Sequence, residues 1–152
     1  MKLINHEETD ISDFIKEPII LNKNKDYEKI SELALKEIIL NDLDNFLNQL
    51  GTGFTYVGNE CPIKIGNTYN YIDILLFNYL YNAFVVVELK VNKLRKQDIG
   101  QIEIYMNYIN ENVKSINQDK TIGIIVCKEN NKYIIKYSTD TRIYTTTYEL
   151  HK

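Results

Sequence analysis

The stretch A-F-V-V-V-E-L-K, Ala83 to Lys90, ends an apolar run on an acid and a base two residues apart. Phe84, Val85, Val86 and Val87 are aromatic or β-branched, which predicts a buried strand. Side chains alternate across a strand, so Glu88 and Lys90 share one face and Leu89 points back into the core. Charges this close to a buried strand have two readings. Either the strand emerges into solvent there as a surface ion pair, or the pair belongs to a site with chemistry.

The sequence before this strand bears on the choice. Tyr69 to Phe77 alternates as a second strand, with Tyr71, Asp73 and Leu75 on one face and Ile72, Ile74 and Leu76 on the other. Only a short turn, 78–82, separates the two strands, which predicts a hairpin with Asp73 within reach of Glu88. Two close carboxylates on a buried surface repel each other, raising at least one pKa unless a cation sits between them. A hard divalent ion such as Mg²⁺ suits these ligands, and a backbone carbonyl such as that of Leu89 can add one. Lys90 beside them could orient water or steady the charge on a phosphate. A helix predicted over 97–113 carries Gln101 near the same place. Gly100 costs that helix about 1 kcal/mol relative to Ala, and suggests close approach to the strand or a ligand. Taken alone, Glu88-Leu89-Lys90 fits a surface pair. The ordered set Asp73, Glu88, Lys90 and Gln101 favours a site.

Further out, 1–25 reads as an irregular N-terminal arm, with a possible turn of helix at 11–15. Apolar residues at helical spacing from Tyr27 to Leu50 predict one long helix capped by Asp26, kinked or split near its start and ended by Gly51 and Gly53. Phe54–Val57 and Pro62–Ile65 read as two strands with a turn at Gly58–Asn59. Gly66–Asn67 is a tight hairpin turn. Val91–Lys96 reads as a basic loop. Thr121–Cys127 is the continuous apolar run of a strand covered on both faces. Tyr133–Tyr137 reads as a last strand, and 138–152 has room for one more short one. The order α-β-β-β-β-α-β-β predicts an α/β fold in which helices cover a mixed sheet, as one domain over 1–152.

The composition narrows the function classes. A chain of 152 residues, 44% apolar and 26% charged, is long enough for one sizeable core and ordinary for a globular protein. A net charge of −3 argues against an extended basic surface for nucleic acid, so any such contact is local. No secretory signal or membrane-spanning run is visible, which predicts a cytoplasmic protein without a membrane partner. Cys61 and Cys127 make no disulfide framework and have no CxxC or His partner for zinc. His6 and His151, near the termini, read as non-catalytic.

Six segments carry a resemblance: F-I-K-E-P (14–18), N-F-L-N-Q-L-G-T-G-F-T-Y-V-G (45–58), Y-I-D-I-L-L-F (71–77), V-V-V-E-L-K-V-N-K-L (85–94), Q-D-I-G-Q-I-E-I-Y-M-N-Y (97–108) and T-I-G-I-I-V-C-K (121–128). In order and spacing the chain resembles the PD-(D/E)XK nuclease superfamily and, within it, the YhcG-like family, from about Asp13 to about Leu150. The resemblance implies a restriction-endonuclease-like core. It places the acid of the D motif at Asp73, the ExK acid and lysine at Glu88 and Lys90, and a helix glutamine at Gln101. It implies Mg²⁺ or Mn²⁺ as cofactor, DNA as substrate, and a role in DNA processing or defence against foreign DNA. A homodimer and a separate DNA-binding domain or subunit are the partners it brings to mind. Relatives often carry a first-helix acid where this chain has Asn41. Glu37 lies one turn earlier on the same face, while Asp42 points about 100° away. Glu60 stands where relatives often have Gln, as an extra ligand or an exposed strand-end acid. Lys93, Arg95 and Lys96 read equally as a solvated loop or as a phosphate-backbone contact. Tyr105, one turn after Gln101, could line the site.

Overall fold

The computed structural model describes residues 15–137 and 140–152. The helical turn expected at 11–15 lies outside them except for Ile15. In chain order the elements are β1 (Ile19–Asn22), α1 (Glu32–Asn41), α2 (Leu43–Leu50), β2 (Phe54–Ile65), β3 (Thr68–Asn78), β4 (Ala83–Lys93), α3 (Lys96–Asn112), β5 (Ile122–Glu129), α4 (Lys132–Tyr137) and β6 (Ile143–His151). They build one six-stranded mixed sheet in the order β1-β6-β5-β4-β3-β2. The meander β2-β3-β4 is antiparallel, and β4, β5, β6 and β1 run parallel.

The strand that begins at Ala83 is the hub. Val85, Val87 and Leu89 face a core shared with Leu35, Ile38, Ile39, Phe46 and Leu50 of α1 and α2. Val86 faces the opposite core, with Ile102, Tyr105, Met106 and Ile109 of α3. Both faces of β4 and β5 are covered, which explains their unbroken apolar runs. The α3 helix lies close over β5 at Gly123, where an added Cβ would stand 2.6 Å from Met106 Sδ and 3.0 Å from Ile102 Cδ1. The close approach expected at Gly100 is therefore supplied by the strand, since a Cβ on Gly100 would meet nothing within 4 Å.

Several sequence expectations change. The long first helix is two helices. It starts at Glu32, because the Ser31 hydroxyl caps the Ala34 N–H at 3.0 Å, and it breaks at Asp42, whose φ of −140° and ψ of 56° leave the helical region. Within α1 the buried face runs through Leu35, Ile38 and Ile39, and Leu33 lies on the exposed side. Phe54–Ile65 is one strand, because the expected turn at Gly58 is a register shift between Tyr56 and Gly58 that leaves the pairing with β3 intact. Strand β4 continues through Lys93, so the basic loop is shorter than expected. Tyr133–Tyr137 is the short helix α4, whose tyrosines are exposed. The tail supplies the nine-residue β6, which pairs with β5 on one side and with Ile19–Asn22 of the expected irregular arm on the other. Cys61 and Cys127 are free thiols.

Candidate active site

The ladder between β3 and β4 runs from Asn78 and Ala83 to Ile74 and Val87, and stops there. The next residues across the gap are Asp73 and Glu88. Each takes over a backbone amide that the ladder no longer pairs. Glu88 Oε2 accepts the Asp73 N–H at 2.9 Å, and Asp73 Oδ2 accepts the Leu89 N–H at 2.9 Å. The strands thus part where the acids stand, and the acids themselves satisfy the freed donors. This reciprocal pair fixes both carboxyl groups on the end of a rigid sheet.

The electrostatics follow from burial. Glu88 is 4% exposed. Loss of water and, next, the Asp73 charge push its carboxyl up to about 8, with a smaller contribution from Glu32 on α1. Burial also raises Asp73, against the Leu89 N–H and the nearby Lys36 and Lys90 ammonium groups. In both carboxyl groups the charged form is therefore disfavoured. The donors are all oxygen, which fits a hard divalent ion. Among the described residues no cluster of three or more acid, His or Cys side chains is arranged to hold a metal. An ion here would complete its shell with backbone carbonyl, water or phosphate oxygens, a pattern that suits Mg²⁺.

Lys90 of β4 and Gln101 of α3 meet. Lys90 Nζ donates to Gln101 Oε1 at 3.2 Å. Tyr105 is buried and hydrogen-bonds Gln101; burial, then the Glu88 and Asp73 charges, raise its hydroxyl. It stands behind the glutamine and does not present a face to solvent. Lys93, Arg95 and Lys96 are exposed beside this end of the sheet, with Lys93 Nζ 3.8 Å from Glu129 and Arg95 Nη2 3.4 Å from Asp98.

Two residues at the site had no assigned role in the sequence reading. Asp98, 3% exposed in the first turn of α3, accepts the Arg95 N–H at 2.8 Å and lies 3.9 Å from Lys90 Nζ. It holds the lysine from the helix side. Lys36, 8% exposed on α1, donates to Glu60 Oε1 at 2.6 Å and stands 4.0 Å from Asp73 Oδ1. It changes the first-helix expectation: Glu37 and Asn41 lie on the exposed side of α1, and the position that reaches Asp73 is a lysine. The signal for Lys36 was present, as a cation beside the apolar positions Leu35, Ile38 and Ile39. Glu60 falls opposite Asp73 in the β2–β3 register, with a φ of 47° and a half-exposed side chain bound to Lys36.

Comparison with known proteins agrees with this architecture. The chain is similar to crystal structures of a repair endonuclease from Pyrococcus abyssi, at TM-score 0.55 and 21% identity over 81% of this chain and 48% of that one. It is also similar to EndoMS in a complex with dsDNA, at TM-score 0.58 and 20% identity over 86% of this chain and 51% of that one. At these identities the likeness speaks for the fold, a restriction-endonuclease-like α/β core. In sequence, the protein named "Putative nuclease YhcG" of Escherichia coli (strain K12) is 30% identical over 115 residues. That match takes in 76% of this chain and 31% of the relative, so the chain spans about a third of that protein's length. The family model of the YhcG PDDEXK nuclease domain matches residues 12–151. With nearly its whole length matched, and with Asp73, Glu88 and Lys90 gathered at the parting of β3 and β4, the chain belongs to the YhcG PDDEXK nuclease domain family.

Proposed function

We propose that this chain forms a single nuclease domain that hydrolyses phosphodiester bonds of DNA with the help of one or more divalent metal ions. The observation that carries the reading is the reciprocal seating of Asp73 and Glu88 on each other's strands, with both carboxyl groups pushed up by burial. Asp73, Glu88 and the Leu89 carbonyl would hold Mg²⁺ or Mn²⁺. A bound ion would lower the pKa of a coordinated water and stabilise charge on the phosphate. Lys90, held by Gln101 and Asp98, keeps its ammonium group near the two acids, where it can orient the attacking water or offset charge on the phosphate. Tyr105 steadies Gln101. Lys93, Arg95 and Lys96 lie where they can touch the backbone of a bound strand, a local basic contact that suits a chain of net charge −3. The dsDNA in the complex of the similar EndoMS favours a double-stranded substrate.

Lys36 favours a second reading, because it brings a cation to Asp73 from the helix where relatives often carry an acid. In this reading the fold is a degenerate nuclease that binds nucleic acid or a protein without cutting. Calorimetry with Mn²⁺ separates the two. Binding that Asp73→Asn removes supports the nuclease, and no binding even with DNA present supports the module.

A further inference from the structure

The β2–β3 and β3–β4 registers place Glu60, Asp73 and Glu88 side by side on three neighbouring strands. Two gaps separate these three acids. The Asp73 and Glu88 carboxyl groups are each tied to the other's strand by a backbone amide, and among the described residues no ammonium group lies within ion-pair distance of Glu88, with Lys90 acting on the two acids from farther off. The gap between Glu60 and Asp73 is already filled. Lys36 reaches it from α1, 2.6 Å from Glu60 Oε1 and 4.0 Å from Asp73 Oδ1, on a side chain that is 10% exposed. An ammonium group this buried between two acids is a fixed part of the charge balance.

We infer that Lys36 is a built-in cation that takes the place of a second metal ion, so that the site accepts a single divalent ion, between Asp73 and Glu88. This rests on the metal reading above and deepens it. Glu60 is the positioning residue for Lys36. Its hydrogen bond holds the ammonium group on the Oδ1 side of Asp73, while Oδ2 accepts the Leu89 N–H. Without Glu60, Asp73 would be the nearest carboxylate to Lys36, and the lysine would compete with the ion for it.

The test is titration calorimetry of Mn²⁺ into the metal-free chain, with circular dichroism to confirm each variant's fold. Wild type is expected to bind one ion and Lys36→Glu two. Lys36→Met is expected to bind its first ion about tenfold more tightly, the scale of one unit charge removed at a few ångströms in a partly screened site. Glu60→Gln is expected to bind more weakly by a similar factor. These opposite shifts distinguish a charge role from simple support of the fold. Should Lys36→Glu fail to fold, the pair Lys36→Met and Glu60→Gln decides. Two ions on wild type, or unchanged number and affinity in the folded variants, would overturn the inference. Loss of all Mn²⁺ binding in wild type, or binding that survives Asp73→Asn, would instead overturn the metal site itself.

Discussion

Metal-free protein should lose stability as the pH rises, and Glu88 should be the main reason. Its ordinary pKa of 4.5 is raised to about 8 in the fold. The folded chain therefore binds one proton more than the unfolded chain between those values. The favourable contribution is complete below pH 4.5 and is lost as the pH climbs through 8. One proton corresponds to about 1.4 kcal/mol per pH unit, so the fall over the three units from pH 5 to pH 8 is at most about 4 kcal/mol. At this chain length that is roughly 10 °C in melting temperature. Asp73 is shifted in the same direction. Glu88→Gln keeps an oxygen to accept the Asp73 N–H and removes the charge, so most of the slope should disappear and the variant should outlast wild type at pH 8. Thermal melts in EDTA from pH 5 to 8 read this directly. Added Mn²⁺ should reverse the order at pH 8, because the ion binds the ionised pair of wild type and stabilises it by mass action. A wild-type melting temperature that is flat or rises from pH 5 to 8, with Glu88→Gln parallel to it, would refute the reasoning.

Other perturbations test the surrounding parts. Asp98→Asn removes the charge that holds Lys90 from below, and should slow DNA cleavage about tenfold while costing about 1–3 kcal/mol of stability; rate assays beside thermal melts read both. Gly123→Ala should cost about 1–3 kcal/mol, because its methyl group would press on Met106 and Ile102. Gly100→Ala, in a helix with open space at that position, should gain up to about 1 kcal/mol, and denaturant titration of the two variants distinguishes them. Replacing Lys93, Arg95 and Lys96 together by Ala should weaken DNA binding and flatten its salt dependence by up to about three phosphate contacts, measured by fluorescence anisotropy over a salt series.

The central site was legible because strand periodicity carries it. Asp73, Glu88 and Lys90 lie on patterned strands joined by a short turn, which made their nearness legible, although the expected alternation of β3 breaks beside Asp73, where Ile72 packs with Leu75 and not with Ile74 and Leu76. Gln101 is singled out by the close approach expected at Gly100, which Gly123 of β5 supplies instead, and by the resemblance. What escaped depended on long-range geometry. Lys36 reaches Glu60 and Asp73 from α1, contacts set by how that helix packs on the sheet, and the sequence pattern places a kink or split near the start of the 27–50 helix whereas the break falls at Asp42. The Gly58 bulge and the β1–β6 pairing are likewise choices made by partners distant in sequence. Tyr133–Tyr137 reads as a strand by residue type, yet it lies in a short helix with exposed tyrosines and Ile134 packed toward α3, where local propensity is a weak guide.

The most direct measurement is cleavage of plasmid and branched DNA by the purified chain in Mg²⁺, Mn²⁺ or EDTA, beside Asp73→Asn. The account predicts cutting by wild type in Mg²⁺ or Mn²⁺, none in EDTA, and a loss of at least about a hundredfold in a folded Asp73→Asn variant. Cutting that persists in EDTA, or a variant as active as wild type, would contradict it.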